Sequence, residues 1–195
     1  LLFQQWNKET DKTVIVGNTV HFDDEGRIFI LTGPNQGGKT TYTTAIGLVQ
    51  ILAQAGLYVP ADVAEISPVD AIYTHFAKEE RPNLEAGRLG EEARRLNTIF
   101  EHASRYSLVL LNESLASTSA SESLFLARDV VRAFRLLGTR AIFATHLHDL
   151  AADCEAMNAE TDGDSQIISV VSQVQVINTD GEIKRTYQII PATPN

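Results

Sequence analysis

"LTGPNQGGKTT", residues 31–41, decides how the rest of the chain is read. Gly33, Gly38, Lys39 and Thr40 satisfy the pattern G-x-x-x-x-G-K-[ST]. The apolar run "GRIFILTG" (26–33) leads into it as a buried strand, and "KTTYTTAIGLVQILAQAG" leaves it as a helix. That helix carries Ala45, Leu48, Val49 and Leu52 at helical spacing, with Gly56 as its C-cap. Strand, glycine loop and helix in this order are the context the motif requires. The glycines let backbone N–H groups turn inward around a phosphate, and the helix adds its positive end to the same place. The lysine reaches the β and γ oxygens, and the Thr40 hydroxyl ligates magnesium. The stretch is read as a nucleotide site for ATP or ADP with Mg²⁺. Its lining is Gly33, Pro34, Asn35, Gln36, Gly37, Gly38, Lys39, Thr40 and Thr41.

The bulk properties set limits on what surrounds that loop. The chain has 195 residues, 44% hydrophobic and 21% charged, which suits one globular domain spanning 1–195. Its formal net charge of -9 argues against a broad grip on a phosphate backbone, which needs clustered Lys and Arg. Cys154 is the one cysteine, so no intrachain disulfide forms and a reduced, cytoplasmic setting is expected. No run of about 18 apolar residues is present, so no membrane partner is expected. The start, "LLFQQWNKETDK", lacks the features of a signal peptide and has no Met, which suggests a piece of a larger protein.

Strand and helix patterns alternate along the rest of the sequence. "TVIVGN" (13–18), "VAEIS" (63–67) and "DAIYTHF" (70–76) read as strands, with Pro60 and Pro68 marking turns. "KEERPNLEAG" (78–87) reads as a polar loop and "RLGEEARRLNTIFEHAS" as the helix after it. "SLVLLNE" (107–113) has the length and apolarity of a central parallel strand. The next helix, "SASESLFLARDVVRAFRLLG", opens on a capping box of Ser119 and Glu122 and ends at Gly138. Its inner face is Leu124, Ala127, Val131 and Phe134. "TRAIFATH" is a further buried strand, and the tail forms two β runs around the hairpin signal Asp180-Gly181. The alternation predicts an α/β sheet with helices on both faces and a C-terminal antiparallel hairpin. Ligands of such sheets bind beyond the carboxyl ends of the strands, where the glycine loop, Asn112, Glu113 and His146 all fall.

A phosphate loop of this type needs an acidic residue at a neighbouring strand end to hold the magnesium shell. Asn112 stands at that position, able to accept a hydrogen bond from a metal-bound water but bringing no negative charge to the metal, which predicts weaker attraction for Mg²⁺ and slower turnover. Glu113, the next residue, is placed to act as general base or to position water. His146 ends its strand within reach of the γ-phosphate side if that strand neighbours the one ending at Asn112. His146, His148 and Cys154 match no closed zinc site.

Together, "GPNQGGKTTY", "AQAGLYVPADVAEISPVDAIYTHF", "SLVLLNES" and "FATHLHDL" resemble the C-terminal ATPase domain of the MutS mismatch-repair family. The resemblance runs from Val14 to Leu150 and more weakly through the tail. It implies a P-loop NTPase fold of the ABC type, working as a homodimer in which nucleotide controls a distant DNA clamp carried by other domains. Gly33 to Thr41 then match Walker A, and Asn112 with Glu113 match Walker B. "SLASTSASES" becomes the loop facing the partner, and His146 the switch histidine. The signature helix is expected near Gly90, and Val16 and Asn18 as base contacts. Three departures mark a divergent member: Asn112 for the family's Asp, "GRLGEEARRL" without the Ser-Thr signature, and "LASTSAS" without the Gly-Arg-Gly-Thr loop. They leave two readings open, an ATP hydrolase and a degenerate nucleotide-binding switch that dimerises and barely turns over. A transporter-type ABC ATPase is disfavoured by the missing LSGGQ-like signature and the short path from Lys39 to Asn112.

Overall fold

The structure, a computed structural model, describes residues 15–23, 26–76, 87–160, 165–176 and 183–191. Its elements run β1 (Ile28–Thr32), α1 (Lys39–Gln54), β2 (Ile72–Phe76), α2 (Gly87–His102), β3 (Leu108–Asn112) and α3 (Ala120–Leu137). They continue through β4 (Arg140–Ala144), α4 (His148–Ala152), α5 (Cys154–Glu160), β5 (Ile167–Val176) and β6 (Ile183–Pro191). The strands form one six-stranded mixed sheet in the order β2-β3-β4-β1-β5-β6. β2, β3, β4, β1 and β5 are parallel, and β6 closes the edge antiparallel to β5. The turn at Asp180-Gly181 and the loop read at 78–87 lie outside the described residues, apart from Gly87.

β1 and β3 are buried along their whole length, as strands covered on both faces must be. Ile28, Ile30, Val109, Leu111 and Phe143 point to one face, where Leu96 and Ile99 of α2 and Val131 and Phe134 of α3 meet them. Phe29, Leu31, Leu110 and Ile142 point to the other, covered in part by Tyr42 and Ile46 of α1. α3 follows its sequence reading closely. Ser119 caps it by accepting from the Glu122 N–H, Glu122 accepts from the Thr118 and Ser119 hydroxyls, and Gly138 closes it in the left-handed region.

Three expectations are corrected. The buried face of α1 is Thr43, Gly47 and Gln50, while Leu48 is 52% exposed and Ala45 is also exposed. Close approach accounts for this: a methyl group on Gly47 would stand 2.8 Å from Leu110 Cδ1, so the glycine lets the helix sit on β3 with the Leu110 side chain where it is. Gln50 enters the interior because its amide is satisfied by the Ser67 carbonyl at 3.1 Å. "VAEIS" is no strand: its neighbourhood is held by side chains, with Gln54 bonded to both the N–H and the carbonyl of Val69. The described part of "TVIVGN" pairs in no ladder either. There the Asn18 amide does a strand's work, donating to the Tyr187 carbonyl at 2.9 Å and accepting from the Ile189 N–H at 2.7 Å.

Candidate functional site

Three parallel strands deliver the candidate residues to one end of the sheet. β1 runs into the glycine loop, β3 ends at Asn112, and His146 follows β4. β3 and β4 are direct neighbours, with Asn112 opposite Ala144. The backbone N–H of Glu113 then bonds the Ala144 carbonyl at 2.9 Å, and that of Thr145 bonds the Leu31 carbonyl at 2.9 Å. The condition set on His146 is therefore met.

The loop between β1 and α1 turns sharply. Gly33, Gln36 and Gly38 all have positive φ, at 135, 60 and 92°. Pro34, Asn35 and Gln36 form an exposed crest, while Gly33 and Gly37 are buried. These two glycines answer to a requirement the motif does not express. A Cβ on Gly33 would meet Ser172 Cβ at 2.8 Å, and one on Gly37 would meet Ser172 Oγ at 2.6 Å. Ser172, in β5, donates its hydroxyl hydrogen bond to the Gly37 carbonyl and so ties the loop to the sheet.

Lys39 begins α1 and is 6% exposed. Its ammonium donates to the carbonyls of Gly33 at 2.8 Å and Pro34 at 3.2 Å. Glu113 Oε1 stands 3.9 Å from it, and His146 Nε2 stands 3.0 Å from the same carboxylate oxygen. Burial pushes the Lys39 pKa below the ordinary lysine value, and the charge of Glu113 partly offsets that push. Gly38 is the N-cap of α1 and offers no side-chain cap, and the first turn has no acidic residue. An uncapped helix N-terminus beside a buried ammonium is a donor set suited to a polyphosphate. Next to it, Thr40 Oγ1 donates to Asn112 Oδ1 at 3.1 Å. Two neutral oxygens suit an ion that keeps its own waters and phosphate ligands, as magnesium does. Among the described residues no group of three or more His, Cys, Asp or Glu could hold a metal unaided. Thr41 is exposed on the first turn of α1.

Over residues 29–193 the chain matches the family described as MutS domain V. It belongs to the MutS family. It is similar to the DNA mismatch repair protein MutS of Chlorobium chlorochromatii, 31% identical over 160 residues, which is 82% of this chain and 18% of that protein. With the protein of the same name from Chlorobium limicola it is 38% identical over 139 residues, 70% of this chain and 16% of the relative. The Endonuclease MutS2 of Staphylococcus carnosus is 32% identical over 164 residues, 82% of this chain and 21% of that protein. The chain thus spans about a fifth of the length of these relatives.

Within this MutS domain V chain, the helix expected near Gly90 is α2, described from Gly87. Asn18 uses its amide on β6, as above. The turn after β3 holds what the sequence reading missed. Glu113 and Leu115 both lie in the left-handed region, φ 53 and 64°, a conformation costing a non-glycine residue about 1–2 kcal/mol. The Leu115 N–H donates to Glu92 Oε2 at 2.9 Å, and its carbonyl accepts from Ser123 Oγ at 2.6 Å. His75 Nδ1 lies 2.6 Å from Ser114 Oγ. No spacing rule pairs residues from β2, α2 and α3 with one turn, so these contacts could not be read from the sequence.

Proposed function

We propose that this chain is the ATP-binding and ATP-hydrolysing part of a divergent MutS-like DNA mismatch-repair protein, with the P-loop fold of the ABC type. Lys39 and the backbone N–H groups around Gly37, Gly38 and Thr41 take the phosphates of ATP or ADP. Thr40 and Asn112 hold Mg²⁺, which when bound neutralises the phosphate oxygens. Glu113 orients the attacking water, and His146 steadies that carboxylate and senses the γ-phosphate. The observation that carries this reading is the meeting of three groups from the start of α1 and the ends of β3 and β4: Lys39 lies 3.9 Å from the Glu113 carboxylate, and His146 lies 3.0 Å from the same oxygen. The names of the relatives support mismatch repair as the setting. Nucleotide state then controls a homodimer and its DNA clamp in the cytoplasm, with DNA held by parts of the protein outside this chain. No helix among the described residues is long and apolar enough to cross a membrane. In the full-length protein, Glu113→Ala should lower Mg²⁺-dependent ATP hydrolysis by about a hundredfold or more with ATP still bound. Undiminished hydrolysis in that variant refutes the assignment.

One observation favours a second reading, a nucleotide-binding switch with little turnover. Asn112 meets Thr40 where the family's carboxylate is expected, so position 112 itself brings no negative charge to the metal. Asn112→Asp separates the two: a rise in turnover of about tenfold or more identifies the switch, and an unchanged rate an intact hydrolase.

A further inference from the structure

The turn that presents Glu113 is held from below, by groups that do not belong to the phosphate loop. Glu113 and Leu115 both adopt left-handed backbone, and neither is glycine. Such a turn persists only where its surroundings over-determine it. The surroundings here come from three elements. Glu92 of α2 accepts the Leu115 N–H at 2.9 Å. Ser123 of α3 donates to the Leu115 carbonyl at 2.6 Å. Between the two left-handed residues, Ser114 lies 2.6 Å from His75 Nδ1 and donates to the His75 carbonyl at 3.2 Å. All four side chains are buried: Glu92 6% exposed, Ser123 2%, Ser114 2% and His75 1%.

We infer that Glu92 and Ser123 are positioning residues for Glu113: they clamp the Leu115 backbone from α2 and α3 and thereby aim the Glu113 carboxylate at Lys39 and His146. The inference rests on the reading of Glu113 as the group that orients the attacking water. Without the clamp, Leu115 relaxes toward right-handed backbone and carries the turn with it, swinging the carboxylate off His146. The Gly33–Thr40 loop loses its contact with Glu113 in that motion but keeps its own anchors, Lys39 on the Gly33 and Pro34 carbonyls and Ser172 on the Gly37 carbonyl, so the damage falls chiefly on turnover rather than on nucleotide affinity. The arrangement also makes the turn sensitive to α2 as a body, because the Glu92 hydrogen bond ties the helix to the turn.

The test uses the full-length protein and three variants, Glu92→Met, Glu92→Gln and Ser123→Ala, with kcat and KM for Mg²⁺-dependent ATP hydrolysis and calorimetric titration with ADP. Glu92→Met is expected to lower kcat by about 10- to 100-fold with ADP affinity kept within about threefold. Glu92→Gln restores most of the loss, since its amide oxygen accepts the same N–H. Ser123→Ala gives a smaller loss of the same kind, and it carries the test alone if Glu92→Met does not fold. Unchanged kcat in both Glu92→Met and Ser123→Ala overturns the inference. So does a parallel fall of kcat and ADP affinity that Glu92→Gln fails to correct. Glu113→Ala, run beside them, separates the two levels. If it abolishes turnover while the clamp variants are fully active, the clamp alone is wrong; if it hydrolyses normally, the reading of the site falls and the clamp with it.

Discussion

Replacing Gly37 by alanine puts a methyl group where β5 already stands. Its Cβ would lie 2.6 Å from Ser172 Oγ, 3.0 Å from the Pro34 carbonyl oxygen and 3.3 Å from Ser172 Cβ. Ordinary contact begins at 3.4 Å, so one side must retreat by about 0.8 Å. Ser172 has little room to do so. It is 1% exposed and opposite Ile189 in the β5–β6 ladder, and its hydroxyl is engaged by the very carbonyl of Gly37. The loop therefore moves. Overpacking of this kind costs about 1–3 kcal/mol, and each kcal/mol lowers the melting temperature of a domain this size by roughly 2–4 °C. A fall in Tm of roughly 2–12 °C is expected. A displacement approaching 1 Å at the loop that carries Lys39 should also lower turnover by about a hundredfold. The assays are a thermal melt and ATP hydrolysis on the parent, Gly37→Ala, Ser172→Gly and the double variant. Ser172→Gly removes both Cβ and Oγ but leaves Pro34, so the double variant recovers most of the loss and not all of it. A coupling of about 1 kcal/mol or more in the direction of rescue is expected. A Gly37→Ala protein that melts and turns over like the parent, or one that Ser172→Gly does not improve, refutes the reasoning.

Three further outcomes follow from the packing and the charges. Phe134 is 1% exposed and stacked on Phe100 at 4.7 Å between ring centroids; Phe134→Ala should cost about 3–5 kcal/mol in urea unfolding, the usual range for an emptied aromatic site. Burial pushes the Cys154 thiol up to about 12, so labelling by a thiol reagent at about pH 8 should track unfolding and be negligible in the native protein. Lys39 has its pKa lowered by burial, so between its folded value and the ordinary lysine value of about 10.4 the unfolded chain binds the extra proton and stability rises with pH. The stability of Lys39→Met relative to the parent should therefore be greatest at neutral pH and shrink as pH climbs through that window, measured by denaturation at several pH values.

How far the sequence could be read depended on the range of the physics. The strand–loop–helix unit at β1 and α1 was legible because glycine spacing, helix polarity and apolar runs are local rules. So were the Ser119 cap and the inner face of α3 at Ala127, Val131 and Phe134. The face of α1 was not, because apolar periodicity ranks Leu48 above Gly47, whereas the distance between helix and sheet is set by the smaller residue. "VAEIS" failed for a related reason: Gln50 and Gln54 take the backbone groups near it that a ladder would have paired. Of the site, the residues that meet at the strand ends were legible, and those that brace them were not. Ser172 is 135 residues from Gly37 along the chain, and Glu92 is 23 from Leu115; both pairings exist only once the sheet order is known.

The charge arrangement gives the neutral Asn112 a physical sense. Lys39 is the one buried ammonium among the described residues, and its neighbours are two carbonyls and the Glu113 carboxylate. One positive and one negative charge already balance there. A second carboxylate at position 112, beside Glu113, would add an uncompensated negative charge to a partly buried site, raising its cost until a divalent ion arrived. With Asn112 the pair it forms with Thr40 is closed and uncharged. On the proposed reading, Thr40 and Asn112 would offer Mg²⁺ two neutral oxygens, and the metal would supply charge neutralisation at the phosphates. On that reading the neutral residue at position 112 would weaken the protein's own hold on the metal, while Lys39 and the start of α1, which has no side-chain cap, would still serve the phosphates.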